Sequence, residues 1–515
     1  MKIVDPVTLG DVACTRASVK KVYDRTGTLV QVPANTLAVT YDPSDLTKAP
    51  YALIEPAASN LLPNPDQVYL GGWSSNGGAF ANYVADPAAG TNATRWSFGA
   101  FGDGMFYRAT TMVDNGIYTL SIHFRPNLGG GQLRVGLESP AQYVLVDVAT
   151  GQLVGSTGVT NYGVIACANG WYRVYVSVTA DPAGNKTVVF YSNITALFSL
   201  DWYGAQLEAG SKLTSYCGAS RAADSIAAGA GLAYSNVAIT ETLYSAAATY
   251  ASGAQVYDPA TYAMYQSLVD ANVGNALTNT TKWAPLASTV VNRWRMFDQY
   301  NNTQTANAEE ILLVVSPQLI SQGFYIGNVD ATEVRLSVVD LSEGLVYQET
   351  QSLIVSNSAS SFFNWCFKRI KKKTWAVSLG LPVYANALVT IAIKKPGATA
   401  KCGMCAVGPV VDLGETLKTL GAEIKDYSET TFNFDGTSST TLRGYAKRIT
   451  ADVSVPADQV DSVYEALADY RQRPLVWVGS KTYGIAIAFG RYSSFKPVIK
   501  GANKWEMALQ IEGTV

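Results

Sequence analysis

The sequence predicts a mainly β, multidomain protein, and three observations carry that prediction. Short runs rich in Val, Ile, Thr, Tyr and Trp alternate in polarity and break at Gly, Asn, Asp and Pro, the period-2 pattern of half-buried strands. Only 15% of residues are charged while 11% are aromatic, a composition that argues against long disorder. Helical spacing is scarce and clearest over residues 458–470, where Val460, Val463, Leu467 and Tyr470 share one face behind Pro456. With 515 residues and about 150 per domain, three or four domains are expected.

Charge and hydropathy exclude several function classes. Lys and Arg number 38 against 40 Asp and Glu, a net charge of -2, which lacks the basic excess of a general nucleic-acid binder. No apolar run reaches the roughly 20 residues that span a bilayer. The opening Met1-Lys2-Ile3-Val4-Asp5-Pro6 has no signal-peptide apolar region. No repeat of fixed period is visible, which counts against a β-helix or propeller.

In chain order, residues 1–225 read as short strands of a sandwich or jelly roll. Residues 171–178 and 187–191 are strand-like, and the Asp181-Pro182-Ala183-Gly184-Asn185 turn between them suggests a hairpin. His123 is the single histidine, so a catalytic triad could be built only around it, and a two-His metal site cannot be built within one chain. It sits on the polar face of a strand pattern over residues 118–124 and is read as structural. Residues 222–231 (AADSIAAGAG) have linker composition. The expected divisions are 1–225, a small β module at 226–290, a β-sandwich at 291–400 and an α+β subdomain at 401–515, with a composition change near Gly408.

Six cysteines are too few for a disulfide scaffold of this size. Cys402 and Cys405 form a C-x-x-C, but a four-thiolate site needs Cys366 and a fourth ligand that no second C-x-x-C supplies. Buried thiols, no metal and no cofactor are expected, in a chain made in a reducing cytoplasm. Lys368-Arg369-Ile370-Lys371-Lys372-Lys373 is the one basic run. It suits an acidic partner or, as a solvated strand edge, protection against edge-to-edge pairing.

Particular peptides then carry a resemblance. Cys14-Thr15-Arg16-Ala17-Ser18, Tyr23-Asp24-Arg25-Thr26-Gly27 and the stretch from Leu53 through Glu55-Pro56-Ala57-Ala58-Ser59-Asn60 to Leu62 resemble the opening of a bacteriophage structural-protein family. Gly204-Ala205-Gln206-Leu207-Glu208-Ala209-Gly210, Thr214-Ser215-Tyr216 and Arg221-Ala222-Ala223-Asp224 resemble its closing signature, with Cys217 where an aliphatic residue is usual. The resemblance implies a jelly roll similar to carbohydrate-binding modules and concanavalin-like lectins. A sugar platform needs exposed aromatic rings beside hydrogen-bonding side chains. The candidates are Trp73, Trp96, Tyr107 and Trp202; Trp73 in a Gly-rich loop is the best placed, whereas Trp171 and Trp202 fall in strand patterns and are expected in the core.

Residues 250–283 resemble a short module of the chitin-binding type, whose surface aromatics would map onto Tyr262, Tyr265 and Trp283. These aromatics supply a core or dock the module onto its neighbours, and docking is favoured over chitin binding, because about 60 residues without disulfides make a thin core. The C-terminal half, from Asn292-Arg293-Trp294-Arg295-Met296-Phe297-Asp298 through Gly408-Pro409-Val410 and Gly444-Tyr445-Ala446 to Leu509-Gln510-Ile511-Glu512-Gly513, resembles phage tail and baseplate-associated proteins.

These resemblances imply a virion protein of a phage tail fibre, appendage or baseplate. It would contact other tail proteins and host polysaccharide or lipopolysaccharide, as a homo-oligomer with a trimer favoured, without specific nucleic acid or membrane insertion. Two alternatives stay open: a capsid decoration or head fibre protein, and a tail-borne glycan depolymerase built on Glu138, Asp147, Asp201 or Glu208. The latter needs two carboxylates about 5–10 Å apart across a cleft. With no triad, metal motif or converging carboxylates in view, the sequence reading is that the chain is not an enzyme.

Overall fold

The computed structural model describes residues 1–515 except 71, 99–101, 183, 195–197, 301, 356–361, 363–366, 368–370, 433, 500–503 and 515. Cys366 and half of the basic run at 368–373 therefore lie outside the described residues. The chain is mainly β and divides into two compact units, Ala13–Ala227 and Met1–Val12 with Ala228–Val515.

Ala13–Ala227 is a jelly roll of two six-stranded antiparallel sheets. The first runs Ala79–Val84, Ala93–Phe98, Phe198–Ala209, Gly116–Leu128, Tyr172–Ala180, Tyr162–Ala166. The second runs Leu153–Thr157, Gln142–Asp147, Gln132–Leu137, Gly184–Ile194, Gly102–Met112, Ser74–Asn76. Alternate residues of facing strands, such as Leu120, Ile122, Val174, Val176 and Trp202 against Phe106, Val135, Val144 and Phe190, close one core, the two-layer solution for sheets with one apolar face each.

The strands before and after residues 181–185 do not form the hairpin expected from the turn. Tyr172–Ala180 pairs within the first sheet and Gly184–Ile194 within the second. Val174, Val176 and Val178 face Val188 and Phe190 across the core, and a flat hairpin cannot turn two apolar faces toward each other.

The peptides that carried the family resemblance converge on one buried polar network. Arg16, Lys20 and Arg221 balance Glu55, Glu208 and Asp224, all nearly inaccessible to solvent. Asp224 accepts from Arg16 Nη1 at 2.8 Å and Lys20 Nζ at 2.6 Å, and from the Glu55 backbone N–H at 3.0 Å. Glu55 accepts from Ser215 N at 2.7 Å; Arg221 reaches Glu208 at 3.4 Å. Cys217 touches Glu208 at 3.0 Å, and burial pushes its thiol up to about 12. The signature thus clamps the entering and leaving ends of the unit, where Cys14–Thr15 pairs with Ser225–Ile226. Satisfied buried charge of this kind specifies a unique arrangement.

In the second unit, Met1–Val12 belongs with the C-terminal strands, not with the jelly roll as the 1–225 division had it. Lys2–Val4 lies between Val410–Asp412 and Leu475–Val478, with Ile3 and Val4 fully buried. That sheet continues through Ile487–Ile499, Lys504–Gly513 and Tyr445–Pro456. The helix Val460–Asp469 covers it through Val460, Val463 and Leu467, as the helical spacing predicts. A second eight-stranded sheet centres on Leu388–Gly408, flanked by Thr305–Ser316 and Gly323–Asp330. This single strand crosses the expected 400/401 division, because its pairing with Thr305–Ser316 continues through Ala400, Lys401 and Cys402 and that with Gly323–Asp330 through Lys401 and Cys402. Cys402 and Cys405 are buried in it; burial holds the first thiol at about 12 and the second well above the usual range. Among the described residues no three His, Cys, Asp or Glu side chains group as metal ligands would.

Candidate functional site

The two outer faces of the jelly roll differ. On the first sheet, polar residues point outward but are covered by the arms at 13–62 and 214–227. Asp201 is fully buried and held by Arg95 at 2.7 Å and Arg125 at 2.8 Å. His123 is fully buried, with Nε2 2.9 Å from the Tyr23 hydroxyl, and Tyr203 and Tyr216 lie edge-on to its ring. Burial, then the nearby Arg173, holds its pKa well below 6.5. The unfolded chain therefore takes up a proton near pH 6.5 that the folded unit refuses. Stability should fall as pH drops below about 6.5, by up to about 1.4 kcal/mol per unit, until the lower folded pKa is reached. Melting of Ala13–Ala227 between pH 7 and 5 checks this: His123→Gln should flatten the slope, and an unchanged slope would refute the assignment.

On the second sheet's outer face the flanking residues are half-buried to exposed, whereas Val189 and Gly136 at its centre are buried. One cross-strand row reads Ser74, Tyr107, Val189, Gly136, Tyr143, Thr157. Tyr107 and Tyr143 stand on either side of Val189 and Gly136, and Val189 is the buried floor between them. Gly136 allows no side chain there: a Cβ would meet Gln142 O at 2.0 Å and Tyr143 Cα at 2.6 Å. The row is consequently low in the middle and walled by tyrosines. Arg134, one pleat away on the same face, lays its guanidinium 3.8 Å from the Tyr143 ring centroid and pairs with Glu138 at 3.1 Å. Its Nε is buried without a hydrogen-bond partner. A cation over a ring fixes both groups, so the face presents rigid aromatic surface beside a donor and an acceptor. Such a combination can stack on sugar C–H faces and bond hydroxyls.

Of the residues named from sequence, Tyr107 alone lies in this row. Trp73 is no loop platform: it stacks on Phe106 at 4.9 Å and packs on Phe190 at 5.3 Å, plugging the core. Trp96 is fully buried against Phe80 and Trp202, its Nε1 bonding Gly77 O at 3.2 Å. Trp171 and Trp202 are buried as expected. In the small module, Trp283 is core with Tyr250 and Val256 and bonds Asn275 O, while Tyr265 packs against that cluster. Tyr262 is separate, at φ 58°, with its ring 4.6 Å from Trp294 and its hydroxyl donating to Asp11. A bulky residue held there costs of order 1–3 kcal/mol and needs its surroundings to enforce it. Sequence reasoning missed Arg134, Glu138 as its partner, and Tyr143. The signal was present: Leu133 and Val135, with Val144 and Val146, take the inward positions, which puts Arg134, Gly136, Tyr143 and Leu145 outward.

The carboxylates considered for hydrolysis do not converge. Asp201 and Glu208 are buried in ion pairs on the first sheet. Glu138 and Asp147 lie on the second, where Asp147 caps a turn through Thr150, which lowers its pKa.

Comparison with known proteins matches no family model and no curated protein. Among solved structures, the chain is similar to the enzymatically active domain of bacteriophage CBA120 tailspike protein 4. That match has 12% identity and a TM-score of 0.20 and covers 29% of this chain and 21% of that one. It is also similar to the tandem carbohydrate-binding modules of Paenibacillus barcinonensis Xyn10C, with 9% identity and a TM-score of 0.22, covering 68% and 98%. A third is the module pair of Clostridium thermocellum endo-xylanase 10B, with 11% identity and a TM-score of 0.20, covering 31% and 30%. This chain thus spans about a fifth of the tailspike domain and under a third of the xylanase fragment. The expectation that the chain is not an enzyme is corrected here. Two of these neighbours are described as an enzymatically active domain and an endo-xylanase.

Proposed function

We propose that the protein is a structural component of a phage tail that attaches to host-surface glycans, polysaccharide or lipopolysaccharide, through the second sheet of its jelly roll. The observation that supports this best is the Tyr107–Gly136–Tyr143 row with Arg134 and Glu138 beside it, on the outer face that the chain's own arms do not clamp. The second unit would anchor the protein among other tail proteins as a homo-oligomer. Support for that role is the hairpin Glu429–Phe432 with Ser438–Thr441, where Phe432, Phe434 and Leu442 are at least 78% exposed. Apolar surface of this kind marks interaction sites. Copies linked on one particle raise avidity by roughly 10²–10⁴, so weak individual sites suffice.

The test is a glycan array probed with Ala13–Ala227 displayed multivalently. The wild-type unit should bind a subset of bacterial surface glycans. Tyr143→Ala, which removes one wall and the ring under Arg134, should weaken binding roughly tenfold, the loss of one stacked ring. Equal binding by wild type and Tyr143→Ala, or none by the wild type, would refute the reading.

A further inference from the structure

The second unit contains a cleft of about 490 Å³, within the usual range for small-ligand sites. Its walls come from chain segments far apart in sequence: Asp5 to Gly10, Thr261-Tyr262, Trp294 with Phe297 and Asp298, Arg473-Pro474 and Phe489. None of its residues belongs to the jelly roll.

Two features make it a built site. The Tyr262 ring is fixed three ways: by a backbone at φ 58°, by stacking on Trp294 at an interplanar angle of 22°, and by the hydroxyl bond to Asp11. Phe297 packs on the same tryptophan at 5.6 Å, so the cleft is lined by a rigid aromatic cluster. Opposite in character are Asp5, Asp298 and Arg473. Asp5 Oδ1 accepts from Arg473 Nη2 at 2.7 Å, and the guanidinium side chain remains half exposed. Asp298 accepts from Thr303 Oγ1 at 2.7 Å and Tyr300 N at 2.8 Å. Burial raises the pKa of both carboxyls, which marks them as desolvated in the cleft wall.

Aromatic faces beside carboxylates and a guanidinium are the combination that recognises hydroxyl-rich rings. The lining offers two carboxylates against one arginine that is already paired, so an anionic ligand would be opposed. We propose that this cleft binds a neutral saccharide of one or two pyranose units, independently of the jelly-roll face. The strained tyrosine is its positioning wall, and the Asp5–Arg473 pair bonds the hydroxyls.

The full chain should be titrated with cellobiose and maltose as neutral probes and digalacturonic acid as the anionic one, followed by saturation-transfer NMR. At least one neutral disaccharide should bind in the millimolar range, and digalacturonic acid more weakly. Tyr262→Gly removes the wall while suiting the positive φ, and it should weaken binding roughly tenfold. Arg473→Gln should also weaken binding, and it decides the matter if the glycine variant does not fold. The proposal is overturned if neither neutral disaccharide binds, if Arg473→Gln or a folded Tyr262→Gly binds like the wild type, or if the acidic sugar binds more tightly. Loss in Tyr143→Ala with retention in Tyr262→Gly would move the ligand to the jelly roll and equally overturn it.

Discussion

Asp224→Ala is expected to destabilise the jelly-roll unit by about 3–5 kcal/mol, the usual cost of stranding a buried charge. Both carboxylate oxygens are engaged, one by Arg16 at 2.8 Å, the other by Lys20 at 2.6 Å and the Glu55 backbone at 3.0 Å. Arg16, Lys20 and Asp224 side chains are wholly inaccessible to solvent. Without the carboxylate, two cations remain with Glu55 as their nearest counter-charge, itself 3.4 Å from Lys20 and committed to Ser215. Water cannot reach them without opening the clamp that holds Ser225–Ile226 against Cys14–Thr15. Urea unfolding of Ala13–Ala227 measures the effect, and a loss under about 1 kcal/mol, typical of an exposed pair, would contradict it.

Removing Met1–Val4 is expected to abolish cooperative unfolding of the second unit while leaving the jelly roll intact. Lys2–Val4 is an interior strand, paired on both sides. Ile3 packs with Trp477 and Leu509, and Val4 with Tyr325 and Val476. Deletion would open two strand edges in mid-sheet and leave a cavity, and unpaired edges invite association. The milder Ile3→Ala should cost about 2–5 kcal/mol. Two melting transitions in the wild type, with only the jelly-roll transition surviving deletion, is the expected calorimetric result. A deletion variant with both transitions would place the strand's contribution elsewhere. The division in space also means that a variant lacking the jelly roll must be cut at Val12 and Ala228 rather than by removing 1–225.

The β class, a two-sheet first domain and the helix over 460–469 were legible because each rests on local periodicity; the choice of a jelly roll came from the family resemblance. Val460, Val463 and Leu467 are buried as their spacing requires. What local pattern cannot encode is pairing between distant segments. Lys2-Ile3-Val4 has no signal naming Val410–Asp412 as its partner, and the turn at 181–185 says nothing of which sheet each strand joins. The site followed the same rule. Trp73 lies in a Gly-rich stretch that reads as a loop, but the core claims it through Phe106. The outward positions of two adjacent strands, Arg134 and Tyr143, carry the surface instead. The family-like peptides around Arg16, Glu55 and Asp224 turned out to spell an ion network, a relation between charges whose partners are up to 208 residues apart.

On the proposed function, the outer face of the jelly roll's second sheet holds the glycan. Amide NMR of Ala13–Ala227, titrated with oligosaccharide fragments of the host surface polysaccharide, tests it most directly. The expected footprint covers residues 105–109, 132–138 and 142–147 and vanishes in Tyr143→Ala. A footprint over the arms at 13–62 and 214–227, or none at saturating oligosaccharide, would contradict it.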